Sequence, residues 1–311
     1  MKLISIVTPC FNEEENVEDC YRAVKELFAG PLAGYRREHV FCDNASIDRT
    51  PEILRRFADA DPDVKVIINS RNFGPLRSTF NGVLAATGDA VVLFLPADLQ
   101  DPPELIPEFV ALWEQGYELV YGIRSERDEA PLMRLTRRAY YRLISRLSYV
   151  AIPPDVGDFQ LADRVVVNAL RQIDDAYPFM RIMTFECGFK SVGVPYRWRR
   201  RRKGFSKNRL SALVDQGLNG LITFSNAPLR LALYAGFLIS MFSFIYAFAT
   251  AIASLVLSAP VARGIPTLIV AIFFFGGVQL FVTGLIGEYL LAIYNQVRKK
   301  PLVIERERIN F

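Results

Sequence analysis

The amino-acid sequence predicts an α/β protein: a mostly parallel sheet with helices on both faces, followed by interfacial helices and a C-terminal two-helix transmembrane hairpin. Three observations carry that prediction. Over the first 125 residues, short apolar runs rich in β-branched residues alternate with stretches of helical length, the signature of repeated strand–helix units around a parallel sheet. Polar clusters follow four of the predicted strands in turn, and in such sheets ligands sit beyond the carboxyl ends of the strands. Finally, two long apolar segments without a charged residue follow Pro228.

In order, residues 3–8 are an apolar first strand, and 14–28 an amphipathic helix with Val17, Tyr21, Val24 and Phe28 on one side. A short strand at 39–42 and a helix at 51–60 come next, then a strand at 64–69, a helix at 76–86 and a strand at 90–95. Residues 103–116 read as a helix ending at a glycine, and 119–122 as a strand. The polar clusters are Asn12-Glu13-Glu14, Asp43-Asn44, Arg71-Asn72 and Asp98-Leu99-Gln100-Asp101. The last lies in VVLFLPADLQDPPEL. There a buried strand runs into a turn bearing Asp98, Gln100 and Asp101, and Pro102-Pro103 starts a helix. Exposed oxygen ligands at the end of a parallel strand can hold a hard divalent cation against phosphate.

With 311 residues the chain has room for one α/β domain and an appendage. The net charge of +4 is unevenly spread: residues 199–203 form one basic block, and Arg134, Arg138, Arg142 and Arg146 recur at i+4. Cys10, Cys20, Cys42 and Cys187 form no C-x-x-C and read as reduced, cytosolic thiols without a zinc site. His39 is the single histidine, which excludes a histidine-based triad; it reads as a residue where a loop enters a strand. The N-terminal apolar run turns polar too soon for a signal peptide.

Residues 131–150 read as a basic helix with Leu135, Ala139, Leu143 and Leu147 in a stripe. Residues 206–223 read as an interfacial helix next to the 199–203 block. No charge occurs between Arg230 and Arg263, or between Arg263 and Glu288. The first span, 231–257, is about 40 Å long as a helix, enough to cross a bilayer. The second covers 265–291, and the short linker makes a hairpin. Basic residues flank its two ends, with one arginine in the turn, which places both termini and the catalytic domain in the cytoplasm. Gly236, Gly276, Gly277, Gly284 and Gly287 suggest close helix packing.

Eight segments then carry a resemblance: SIVTPCFNEEENV, DNASIDRT, RNFGPLRSTFNGVLAATGD, ADLQDPPELI, DVGDFQLADR, RRKGFSK, FSNAPLR and GEYLLAIYNQVRKKP. Taken in this order, from residue 5 to about 301, the chain resembles the polyprenyl-phosphate glycosyltransferases. These are inverting family-2 enzymes with the GT-A fold, of the dolichol-phosphate mannose synthase and undecaprenyl-phosphate sugar transferase type. The resemblance implies a GT-A catalytic domain over 1–200, an interfacial region over 201–228, a transmembrane hairpin over 229–297 and a cytoplasmic tail over 298–311. It implies transfer of one sugar from a nucleotide-sugar, a UDP-hexose, to a polyprenyl phosphate, giving a lipid-linked sugar for cell-envelope glycosylation.

The same resemblance assigns residues. Pro9, Phe11, Asn12, Glu13, Asp43, Asn72, Gly74, Ala97 and Asp98 would bind the nucleotide-sugar. Asp98 and Gln100 would hold Mg²⁺ or Mn²⁺, which suits oxygen ligands. Asp158 corresponds to the candidate base; because an acceptor phosphate is already ionised near neutrality, it could equally orient the acceptor or balance charge. Arg124, Arg138, Arg202 and Lys207 are the candidate acceptor-phosphate cations. The competing accounts are a turn or helix-capping acid for Asp98, a buried structural acid for Asp158 and plain headgroup contacts for the arginines.

Two positions depart from the pattern. Asn44 stands where a second acid is usual beside Asp43. Pro96 stands where the acid-x-acid motif begins, so FLPADLQ replaces FLDADLQ, and proline offers no ligand. Two rival readings follow. A processive polysaccharide synthase would need Q-x-x-R-W, and here Val194-Pro195-Tyr196 precedes Arg197-Trp198 without the glutamine. A degenerate, non-catalytic membrane scaffold is the other. The expected location is the plasma (inner) membrane, multi-pass, in a homo-oligomer with no nucleic-acid partner.

Overall fold

The computed structural model describes residues 1–126, 153–175, 177–199, 227–257, 265–298 and 300–311. The elements are β1 (Leu3–Cys10), α1 (Val17–Ala29), β2 (Arg36–Asp43), α2 (Thr50–Ala60), β3 (Val64–Asn69), α3 (Pro75–Ala85) and β4 (Ala90–Val92). A 3₁₀ turn at Pro103–Leu105 leads into α4 (Ile106–Glu114), followed by β5 (Leu119–Glu126), β6 (Val156–Asp163), α5 (Arg164–Gln172), α6 (Met180–Glu186) and β7 (Ser191–Arg197). Two long helices, α7 (Ala227–Leu257) and α8 (Ile265–Val297), precede a last strand, β8 (Glu305–Ile309).

Among the described residues the strands form one sheet, ordered β7-β5-β6-β4-β1-β2-β3-β8. The pairs β1–β2, β1–β4, β2–β3 and β5–β7 are parallel. The inserted β6 runs antiparallel to β4 and β5, and β8 runs antiparallel to β3. The sheet is therefore mostly parallel and mixed at two places. Side chains alternate across it. Ile4, Ile6, Ala90 and Val92 pack with α1 and α4 on one face, while α3 covers β1 and β2 from the other, beside Val7.

The second strand is longer than its apolar part because two of its polar residues are buried with partners. Arg37 pairs with Asp61, itself bonded by Tyr21. Glu38 accepts from Lys65 Nζ, from Ser5 Oγ and from the Thr87 backbone N–H at 2.7 Å. His39 lies inside the strand rather than at its entry, wholly buried, with Nε2 2.9 Å from Thr8 Oγ1. Conversely β4 stops at Val92 although the apolar run continues. Beyond it, the Leu93 N–H goes to Gln160 O on one side and the Leu95 N–H to Val7 O on the other.

The described chain divides into two compact units. Of the described residues, one unit comprises 1–126, 153–175, 177–199 and 300–311, the other 227–257 and 265–298. The first holds the sheet. Its C-terminal β8 closes the β3 edge, held by a forked Arg55–Glu307 pair and by Asn310, whose amide donates to Ala58 O and Val64 O. The second unit contains α7 and α8. Leu233, Phe237 and Phe242 on α7 and Leu280, Phe281 and Leu290 on α8 are exposed. Among the described residues one stretch, Phe274–Val297, is long and apolar enough to cross a membrane. A Cβ added at Gly236, Gly276, Gly277, Gly284 or Gly287 would meet nothing within 4 Å. Among the described residues, then, no neighbour packs against these glycines.

Candidate active site

The loops that follow β1, β2, β3 and β4 meet at one edge of the sheet, as the polar clusters predicted. The first two are knitted together. Asn12, at φ 54°, donates its backbone N–H to Ser46 Oγ at 2.8 Å, and its side-chain oxygen accepts the Ile47 N–H at 2.8 Å. Glu13 and Glu14 donate their N–H groups to Thr50 Oγ1 at 2.9 Å and Asp48 Oδ2 at 3.2 Å. Asp43 is fully buried and takes both the Ser46 N–H, at 3.0 Å, and the Ser46 hydroxyl. Burial pushes the Asp43 carboxyl upward, and the Ser46 bonds work against that shift. Ser46 is thus the hub of the first two loops, which sequence reasoning missed. Its signal was its place in DNASIDRT, three residues past the acid. Pro9, Phe11 and Glu13 are half-buried at the same edge.

The third loop is tied to the second by side-chain amides. Asn44, 4% exposed, donates Nδ2 to Asn72 Oδ1 at 2.9 Å and accepts the Phe73 N–H at 2.9 Å. Asn72 Oδ1 also accepts the Gly74 N–H at 2.8 Å. Gly74, at φ 88°, is the residue before α3.

In the fourth loop Pro96 O accepts the Leu99 N–H at 3.0 Å, and Leu99 sits at φ 53°. Ala97 is buried, clustered with Cys10 and Phe41. Asp98 and Gln100 are half-buried, and Asp98 Oδ1 accepts the Gln100 N–H at 3.2 Å. They are hard oxygen donors two residues apart. Among the described residues no group of three or more His, Cys, Asp or Glu side chains could hold a metal. A carboxylate and a carboxamide are oxygen donors that would suit Mg²⁺ or Mn²⁺ at a site completed by groups from outside the chain.

Asp101 turns inward instead. It is 1% exposed and pairs with Arg124, whose Nη2 reaches its two oxygens at 3.2 and 3.0 Å, and it accepts from the Tyr196 hydroxyl. Arg124 Nε donates to the same hydroxyl at 3.0 Å, and its guanidinium lies 5.4 Å from the Trp198 ring. Burial alone would lower the Arg124 pKa; Asp101, Tyr196 and Asp158 overcome this and raise it. Arg124, an expected acceptor-phosphate cation, is therefore already engaged by a carboxylate. Gly157 abuts this cluster, since a Cβ there would come 3.2 Å from Arg124 Nε, and the next residue is Asp158.

Asp158 is gripped by Arg181 of α6: Nε donates to Oδ1 at 3.0 Å and Nη2 to Oδ2. One turn on, Thr184 Oγ1 donates to Gln160 Oε1 at 2.9 Å, so α6 is bolted to alternate residues of β6. Arg181 was missed by sequence reasoning. The available signal was a lone arginine among buried Met180, Ile182 and Met183. The segment after β7 reaches the fourth loop, with Arg199 N–H to Gln100 O at 2.9 Å and Gln100 Nε2 to Arg199 O at 3.3 Å. Arg138, Arg202 and Lys207 lie outside the described residues, as do the expected helices at 131–150 and 206–223.

A mostly parallel sheet of this order with a polar loop edge fits the GT-A class of glycosyltransferase fold, and comparison with known proteins bears on that class. Residues 5–171 match the family model for glycosyl transferase family 2, and the chain belongs to that family. It is 38% identical to the uncharacterized glycosyltransferase YkcC of Bacillus subtilis, over 96% of this chain and 92% of the relative. It is 37% identical to the SfII prophage-derived bactoprenol glucosyl transferase of Shigella flexneri, over 97% of this chain and 96% of the relative. Among solved structures, glucosyl-3-phosphoglycerate synthase from Mycobacterium tuberculosis superposes with a TM-score of 0.50 at 22% identity, covering 71% of this chain and 78% of that one. That likeness supports the GT-A fold. The protein is a glycosyltransferase.

Proposed function

We propose that this glycosyltransferase moves one sugar from a nucleotide-sugar, a UDP-hexose, to a polyprenyl phosphate, with inversion at the anomeric carbon. The observation that carries this reading is the extent of the likeness to a bactoprenol glucosyl transferase, which takes in 97% of this chain and so runs past the sheet into the long helices. In the reaction an acceptor phosphate oxygen bonds to the anomeric carbon. The bond from that carbon to the nucleotide diphosphate breaks, and its electron pair leaves with the diphosphate.

The chain's own residues bind and orient. Pro9, Phe11, Asn12, Glu13, Asp43, Asn72, Gly74, Ala97 and Asp98 form the donor edge, with Asn12 and Asp43 shaping its loops through Ser46 and Ile47. Asp98 and Gln100 are the residues that would hold Mg²⁺ or Mn²⁺, which supplies charge neutralisation for the leaving diphosphate when bound. Asp158, shared with the Arg181 fork, acts as an orienting and charge-balancing group rather than taking a proton. Arg124 steadies Asp101 beneath the fourth loop and faces Gly157 from inside. Arg138, Arg202 and Lys207 supply the acceptor-phosphate cations.

The helical pair serves as the anchor through 229–297, with the catalytic domain over 1–200, the interfacial region over 201–228 and the tail over 298–311. Two long apolar spans joined by a short linker and flanked by basic residues at both ends support a hairpin whose two ends lie on one side of the plasma membrane, the cytoplasmic one by the positive-inside rule. The test is to incubate purified protein with labelled UDP- and GDP-sugars, undecaprenyl phosphate and Mn²⁺, and follow label into the lipid phase. Transfer from a UDP-hexose is the expected result. No label in lipid with any donor would overturn the reading.

A further inference from the structure

We propose that Asn44 is a positioning residue for the donor: its carboxamide locks the β3–α3 loop in the shape that presents Asn72 and Gly74 to the nucleotide-sugar. This rests on the reading above, in which that loop contacts the donor. The departure from an acid at this position is then a requirement of the loop and not a loss.

Two backbone donors fix the orientation of both amides. The Phe73 N–H needs an acceptor and finds Asn44 Oδ1 at 2.9 Å; Asn69 Nδ2 points at the same oxygen from 3.2 Å. The Gly74 N–H needs an acceptor and finds Asn72 Oδ1 at 2.8 Å. With both oxygens so assigned, Asn44 is left to face Asn72 Oδ1 with its nitrogen, and it does so at 2.9 Å. Only a side chain with an acceptor at one end and a donor at the other closes this circuit. The base of the circuit is anchored, since Asn44 is buried, its N–H goes to Cys10 O at 2.9 Å, and Asn69 also bonds Ser78 Oγ at 3.0 Å. The circuit therefore links the end of β1, the end of β2, the end of β3 and the first turn of α3.

An aspartate at 44 keeps both acceptor roles and loses the donor. Its carboxylate oxygen would oppose Asn72 Oδ1. If the Asn72 amide turned over to meet it, the Gly74 N–H would lose its acceptor, so one bond is missing in either arrangement. The consequence falls on the loop and leaves the sheet intact, which gives it a signature distinct from general destabilisation.

The experiment compares wild type, Asn44→Asp, Asn72→Ala and the double variant, with two readouts. Hydrogen exchange of the peptide spanning 70–76 reads the circuit without any donor, and Asn44→Asp is expected to speed exchange there by about fivefold or more while the peptides of the central strands β1 and β2 exchange as in wild type. Steady-state kinetics on the donor that labels lipid read its use. Asn44→Asp should raise donor KM about tenfold, with kcat at saturating donor and acceptor KM within about twofold. The double variant should be no worse than Asn72→Ala, because the two act through one bond. Unchanged exchange overturns the circuit. Faster exchange with unchanged donor KM, additive effects in the double variant, or an equal fall in acceptor use overturns the positioning role. If wild type transfers from no nucleotide-sugar, the donor reading fails and this proposal fails with it, while the exchange result still tells whether the circuit exists.

Discussion

Replacing Asp101 by alanine tests how the candidate site is held together. Asp101 is 1% exposed, and the Arg124 side chain it neutralises is 13% exposed. Removing the carboxylate leaves a buried guanidinium without its nearest counter-ion and the Tyr196 hydroxyl without its acceptor. Breaking one partner of a buried pair costs about 3–5 kcal/mol, whereas Tyr196→Phe removes one hydroxyl and should cost about 1 kcal/mol. The chain has two tryptophans, Trp113 and Trp198, both in the sheet-bearing unit. Denaturant unfolding in detergent, followed by tryptophan emission, therefore reads that unit and not the long helices. The expected result is a midpoint lowered by the larger amount for Asp101→Ala and the smaller for Tyr196→Phe, with the slope unchanged. If Asp101→Ala unfolds within about 1 kcal/mol of wild type, the cluster is not what holds the fourth loop to β5 and β7, and the reasoning is refuted.

Chelation by EDTA should abolish transfer and Mg²⁺ or Mn²⁺ restore it, and Asp98→Ala should lower the rate by about 10²-fold or more; full activity in EDTA would remove Asp98 and Gln100 from the metal. Burial, reinforced by Arg37, holds the His39 pKa down at about 3. Unfolding then takes up a proton below the ordinary histidine value of about 6.5 that the folded chain refuses until about pH 3, so stability should fall by up to about 1.4 kcal/mol per pH unit across that window. Unfolding curves at pH 7 and 4.5 should show this loss in wild type and less of it in His39→Asn; equal losses would show that the histidine is not the group responsible. Reporter fusions at Ala262 and after Phe311 should report opposite sides of the membrane, and a periplasmic C-terminus would refute the hairpin.

The strand–helix alternation up to β5 was legible because each of those strands is apolar and each loop polar. The limits of that rule show where legibility ended. Arg36, Arg37 and Glu38 look like loop residues, so β2 reads three residues short at its start, yet Arg37 and Glu38 are buried against Asp61 and Lys65. β6 and β7 lie beyond the apolar alternation, and nothing local says that β6 inserts antiparallel between β4 and β5. β8 is ERERI, five residues with four charged side chains; its pairing with β3 and the Arg55–Glu307 fork hold it as a strand. At the site, the residues at strand ends could be named from position alone. Arg181 could not, because its partner Asp158 is 23 residues away, and Asp101 could not be told from Asp98 until the turn at Leu99 sent one outward and the other beneath.

That turn bears on Pro96, the second departure from the family pattern. A proline inside a parallel strand would forfeit a ladder bond. Here the β4 ladder has ended at Val92, and the last strand-like bond, Leu95 N–H to Val7 O at 2.9 Å, lies one residue before the proline. Pro96 then contributes what a proline still has, a carbonyl, and that carbonyl closes the turn on Leu99. The missing acid removes a ligand without opening a gap in the backbone. Asn44 likewise removes a charge while donating to Asn72 and accepting from Phe73 and Asn69. At these two positions the nearby Phe73 and Leu99 N–H groups keep their acceptors. Both residues are therefore built into the loops they occupy, and under the proposed function the donor edge works with one carboxylate, Asp98, beside a neutral loop.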